Sequence, residues 1–209
     1  MSVPAPSTSP PRVCYLGPEG TFTEQALLTQ PDLCQGELLP FGSTPEVLVA
    51  TADGAIDLGF VAIENAIEGT VNITQDILVF ETDLLIQREV VIPVELCLLG
   101  VPGSSLSTVE RVVSFPHATA QCRAFLSRSL PAAVAEATNS TADAARLVAE
   151  GGDPRRAAIG TARAGEVYGL EVLAPSVADH PENATRFVVV APTGVPAPTG
   201  HDKTSIVVY

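Results

Sequence analysis

The chain has 209 residues, 46% of them hydrophobic and 17% charged, and a formal net charge of −13 at pH 7. Such a length and composition describe a folded protein, either one large domain or two small lobes, and exclude a disordered chain. Twenty-four acidic residues stand against eleven basic ones, and Lys203 is the only lysine, so there is no basic footprint for nucleic acid or an anionic membrane surface.

The opening "MSVPAPSTSPPR" lacks the apolar centre of a secretory signal and reads as a disordered leader over 1–11. "RVCYLG" is a short buried strand. "TFTE" then fits the S/T-x-x-E capping pattern, with Thr21 opening a helix and Glu24 reaching back to the cap. A second such start lies at Ser43, with Glu46 three residues on and Gly54 as its stop. "DLGFVAI" is a continuous apolar run suited to a strand covered on both faces, and "VNITQDILVF" carries apolar residues at helical spacing. The longest apolar stretch, 84–100, is interrupted by Pro93. That proline predicts an edge position or a break between strands, and a place for the chain to cross between lobes.

The second half repeats the alternation. "VERVVSF" is a strand, 118–128 a helix and "AAVAEAT" a strand. Ser140, with Asp143 three residues on, caps a helix that stops at Gly151. "RAAIG" is a strand, "TARAGEVYGL" a helix with Gly169 near its end, "EVLA" a strand, and the run after Thr185-Arg186 the last strand. This order predicts an α/β protein with mostly parallel sheets. The four cysteines (Cys14, Cys34, Cys97, Cys122) form no C-x-x-C pair, which argues against a zinc or redox motif and for reduced thiols. No apolar run approaches the ~20 residues that span a bilayer; a soluble cytoplasmic protein is expected.

In open α/β sheets ligands sit beyond the carboxyl ends of strands, and polar residues cluster at four such places. "GPEGTFTE" offers glycine turns and backbone N–H groups at a helix N-terminus, the pattern of an anion site and equally of a plain capped helix. "ENAIEGT" puts Glu64 and Asn65 at the end of an apolar strand, where unpaired polar groups need partners; Asn65 capping its own turn is the alternative. "SFPHATAQC" holds Ser114, His117 and Gln121, with Gln121 about two turns into a helix. "NATRF" holds Thr185, which donates and accepts a hydrogen bond, and Arg186, which can clamp a carboxylate in two-pronged fashion. There is no G-x-S-x-G, Walker or complete G-x-G-x-x-G pattern to support hydrolytic, phosphoryl-transfer or dinucleotide chemistry.

In this order "YLGPEGTFTEQAL", "VAIENAIEGTV", "SFPHATAQC", "STADAARLVAEG", "AAIGTARAGEVYGL", "NATRFVVV" and "KTSIVVY" resemble the prephenate dehydratase family. The resemblance implies conversion of prephenate to phenylpyruvate, with loss of carbon dioxide and water, in phenylalanine biosynthesis. No metal or organic cofactor is implied. The implied fold is a two-lobed, periplasmic-binding-protein-like α/β domain with an inter-lobe cleft, assembled as a homodimer or homotetramer. Its catalytic positions fall on Thr185, Glu64, Asn65 and Gln121, and its substrate-binding positions on Arg186, Phe187, Ser114, Thr21 and Thr70. The catalytic domain is expected over 12–202, with one lobe at 12–92 plus the last strand at 187–191 and the other at 93–186. "KTSIVVY" (203–209) resembles the start of an ACT regulatory domain. Ala66, Phe115 and His117 stand where the family commonly has Ser, His and Gln. Two alternatives remain: a decarboxylase that keeps the ring hydroxyl, and a small-anion binding protein without turnover.

Overall fold

A computed structural model describes residues 10–194 and 197–204. Apart from 10–11 and 203–204, the expected leader and the expected start of a further domain lie outside the described residues. In chain order the elements begin with β1 (Arg12–Leu16), α1 (Phe22–Leu28), β2 (Glu37–Phe41), α2 (Thr44–Ala52), β3 (Leu58–Asn65) and β4 (Gly69–Thr70). Next come α3 (Asn72–Asp76), a π-helical turn (Ile77–Glu81), β5 (Leu85–Pro93), β6 (Cys97–Gly100), a 3-10 turn (Leu106–Thr108) and β7 (Arg111–Ser114). The rest are α4 (Pro116–Ala120), α5 (Arg123–Ser129), β8 (Val134–Ala137), α6 (Thr141–Gly151), β9 (Arg156–Gly160), α7 (Ala162–Tyr168), β10 (Glu171–Ala174) and β11 (Ala184–Ala191).

Two compact units divide these elements. Described residues within Met1–Leu16, Ala26–Val91 and Arg186–Tyr209 form the first, and Gly17–Gln25 with Ile92–Thr185 form the second. The first unit is built on a sheet ordered β2-β1-β3-β11-β5, with β4 paired to β3. β1 runs parallel to β2 and to β3. Side chains alternate between the two faces of a strand. Cys14, Val61, Ile63, Val188 and Val190 therefore join one core with Val47 and Leu48 of α2, while Phe60 and Phe187 lie buried on the other face. Gly59 is where α2 comes closest: a Cβ there would lie 2.7 Å from Thr51 Oγ1. β5 ends the sheet at Pro93, the edge position a residue without an N–H requires.

The second unit carries a five-stranded sheet ordered β10-β6-β9-β7-β8. Its inner strands are covered on both faces, which explains the continuous apolar runs of β6 and β9. Leu98, Val112, Ala157 and Ile159 belong to one core; Leu99, Val113 and Ala158 belong to the other, with Ala144, Ala145 and Val148 of α6. The expectation of mostly parallel pairing fails here. β7 is parallel to β8 and β9, but β6 is antiparallel to β9 and β10. β6 enters directly from the crossing at Pro93, with no crossover helix before it to turn it into line.

The caps explain the helix starts. Ser140 accepts from the Asp143 N–H at 2.9 Å, and Ser43 accepts from Glu46 N–H at 3.3 Å. α6 runs one residue further than expected: Gly151 is its last residue and Gly152, at φ +61°, is the left-handed cap that ends it. The helix expected at 118–128 is two helices, broken at Gln121 and Cys122.

Candidate active site

Within the first unit the polar residues gather around Arg186. Its Nη1 donates to Glu64 Oε2 at 2.9 Å. Its Nε lies 3.1 Å from Glu89 Oε2, close enough for an ion pair but outside hydrogen-bond alignment, since Nε is buried with no acceptor. Lys203 Nζ pairs with the other oxygen of Glu89. The two-pronged clamp expected of Arg186 is therefore shared with two carboxylates of the protein itself. Glu64 does not sit at a buried strand end as expected; its side chain is 49% exposed, and Arg186 is the partner it finds.

Asn65 follows Glu64 on β3, and its Oδ1 accepts from the N–H groups of Ile67 and Glu68, each at 3.0 Å. The side chain thus builds its own turn. That turn lets Gly69 and Thr70 fold back to pair with Asn65 and Glu64, leaving Thr70 exposed. Phe187, expected among the substrate-binding residues, lies in the core. It is 1% exposed and stacks on Phe60 with ring centroids 5.4 Å apart, because β11 lies beside β3 in the sheet.

Within the second unit Thr21 caps α1 by accepting from the Glu24 N–H at 3.2 Å. Glu24 accepts from the Gly20 N–H, one residue outside the cap. Glu24 is itself buried and is met by Arg163 Nη2 at 3.4 Å. Burial works against the charge of Arg163, but the pull of Glu24 and Glu166 outweighs it and holds the guanidinium charged. Thr161 ties α7 to the same turn, donating to the Gly20 carbonyl at 2.7 Å while accepting from Ala164 N–H at 2.8 Å.

Ser114 ends β7 fully buried, its hydroxyl donating to the Ile159 carbonyl at 2.8 Å. In this arrangement it joins two strands. Gln121 is the C-cap of α4 rather than a residue two turns into a helix. Its Oε1 accepts from Asn183 Nδ2 at 3.2 Å. Asn183, only 1% exposed, also accepts the Val94 N–H on its carbonyl at 2.8 Å. It leads straight into Thr185, which is buried at 9% exposure. Phe115 and His117 stack face to face with centroids 5.2 Å apart.

Glu89 and Arg163 carry much of this arrangement and were not singled out in the sequence; Asn183 stood out as a polar residue before the last apolar run, but without a role in the site. The four cysteines are unbridged, and burial raises every thiol pKa, that of Cys122 to about 12 with help from Asp179. None is prepared as a thiolate nucleophile. Among the described residues no His/Cys/Asp/Glu group is arranged to hold a metal ion, and no helix is long and apolar enough to cross a membrane.

The order of these groups along the chain agrees with a family model described as prephenate dehydratase, which matches residues 13–194. The chain belongs to the prephenate dehydratase family. A prephenate dehydratase of Mycolicibacterium gilvum is 40% identical over 208 residues, covering 94% of this chain and 67% of its own length. The solved prephenate dehydratase of Arthrobacter aurescens, in complex with L-Phe, superimposes with a TM-score of 0.84 at 36% identity, over 90% of this chain and 63% of that one. This chain thus spans about two thirds of the length of the prephenate dehydratases it resembles. A quorum-quenching acylase, GqqA, also superimposes, with a TM-score of 0.77 at 30% identity over 90% of this chain and 66% of that one. Fold alone therefore does not select the activity.

Proposed function

We propose that the chain converts prephenate to phenylpyruvate, with loss of carbon dioxide and water. The observation that carries this reading is the run Thr185-Arg186-Phe187 on β11, inside a family match that covers 13–194. Prephenate bears two carboxylates and a ring hydroxyl. The bond to the ring carboxylate breaks, its electron pair enters the ring, and the ring C–O bond breaks as the hydroxyl leaves with a proton as water. Aromatisation drives the step, so the protein's task is to position the substrate and ease the departure of the hydroxyl.

Thr185 supplies a hydrogen bond to that hydroxyl from a buried position, where fixed donors act with little screening. Arg186 holds a carboxylate. Glu64 orients Arg186, Asn65 shapes the turn that follows Glu64, and Gln121 is itself held by Asn183. Thr21 and Ser114 fix the backbone around them, while Thr70 is exposed and available to a ligand.

Incubation with prephenate tests the reading directly. Phenylpyruvate and carbon dioxide are expected in equal amounts; carbon dioxide with a non-aromatic product would replace dehydration by simple decarboxylation, and tight binding without turnover would make the chain a receptor. Arg186→Ala should raise KM about tenfold with a smaller change in kcat, as expected for loss of a charge-assisted anchor. Steady-state kinetics of phenylpyruvate formation would check this, and an equal fall in kcat would move Arg186 into the transition state.

A further inference from the structure

Building on that reading, we propose that Lys203 and Glu89 are positioning residues for Arg186, with Lys203 offsetting the charge of Glu89 so that the guanidinium stays available to the substrate carboxylate. Glu89 divides its two oxygens: Oε1 pairs with Lys203 Nζ and Oε2 lies 3.1 Å from Arg186 Nε. Glu64 takes Arg186 Nη1. Two cations and two carboxylates make a group with no net charge. Without Lys203, one guanidinium would answer to two carboxylates, and the group would carry −1 within a chain already at −13. A local negative charge repels an anionic ligand.

The remaining donor of the guanidinium supports this. Among the described residues no acceptor meets Arg186 Nη2, whereas Nη1 and Nε face Glu64 and Glu89. An incoming carboxylate thus finds one open prong, and its hold depends on how strongly the two protein carboxylates already draw the charge. Lys203 is the chain's only lysine, and its side chain is 71% exposed. Its contribution is therefore electrostatic rather than one of packing, and modest in size.

The test is prephenate turnover by K203M, K203R, E89Q and the double variant K203M/E89Q. K203M should raise KM about two- to fivefold with kcat little changed, the range of a half-exposed ion pair. K203R should restore KM. Adding K203M to E89Q should move KM by less than about 1.5-fold, because Glu89 no longer carries the charge that Lys203 offsets. An active wild type whose KM ignores K203M, or K203M acting equally in both backgrounds, or K203R failing to restore KM, would overturn this inference alone. A wild type that neither binds nor converts prephenate would overturn the functional reading and take this inference with it.

Discussion

Replacing Thr185 with alanine is expected to lower kcat for phenylpyruvate formation about 10²- to 10³-fold while KM stays within about threefold. Thr185 is 9% exposed, on a strand whose neighbours in the sheet are β3 and β5. The backbone therefore fixes its direction before substrate arrives, and no reorganisation is needed as charge develops on the departing oxygen. A threonine hydroxyl is a weak acid, so its effect lies in a hydrogen bond that strengthens as the C–O bond breaks. Such an interaction moves kcat and leaves ground-state binding nearly untouched. Thr185→Ser keeps the hydroxyl but loses the β-branch that restricts χ1; a loss of about tenfold in kcat is expected, between wild type and alanine. Circular dichroism would establish that the variants fold. A folded Thr185→Ala protein with near wild-type turnover would remove Thr185 from the reaction.

What the sequence made legible follows the range over which each cause acts. The caps at Thr21, Ser43 and Ser140 depend on residues three apart, and each opens a helix where its spacing predicts. Pro93 restricts its own strand, and β5 ends there at the sheet edge. The direction of β6 depends on partners about sixty to seventy-five residues further on, Gly160 and Val172 among them. Apolar content alone does not encode that direction, so the antiparallel pairs went unforeseen. The break between α4 and α5 falls in a stretch without Gly or Pro, where the α4 cap N–H of Gln121 turns to the His117 and Thr119 carbonyls. No local residue announces it.

The candidate site divides in the same way. Thr185, Arg186, Glu64 and Gln121 were visible as polar groups beside apolar runs, because a charge or amide at such a place needs a partner. Which partner each has was not visible. Glu89 sits in the alternating run of an edge strand, where a carboxylate reads as ordinary solvent-facing decoration. Its nearness to Arg186 arises only because β11 inserts between β3 and β5. For Asn65 two roles were open, and its Oδ1 takes the turn-building one, accepting from the N–H groups two and three residues on. Ser114 likewise spends its hydroxyl on Ile159, a residue on a neighbouring strand.

Phe187→Ala should destabilise the chain by about 3–5 kcal/mol, the range for deleting a buried phenylalanine ring. The ring is 1% exposed and its partner Phe60 is fully buried. The two stack at 10° with centroids 5.4 Å apart, adding an aromatic pair worth roughly 1 kcal/mol to the lost burial. Few side chains are placed to fill the gap, since β3 and β11 are held in register by the sheet on either side. Against a typical total of about 5–15 kcal/mol, the loss is large enough to lower the urea midpoint clearly and to cut the yield of folded protein. Phe187→Leu fills most of the volume and should cost roughly 1–2 kcal/mol. Urea denaturation of both variants, followed by turnover measured where each is fully folded, separates packing from substrate contact. If Phe187 serves the core, folded Phe187→Leu keeps kcat and KM within about threefold of wild type. A folded, stable Phe187→Leu protein that loses turnover would return Phe187 to the substrate and require the ring to leave its stack on Phe60.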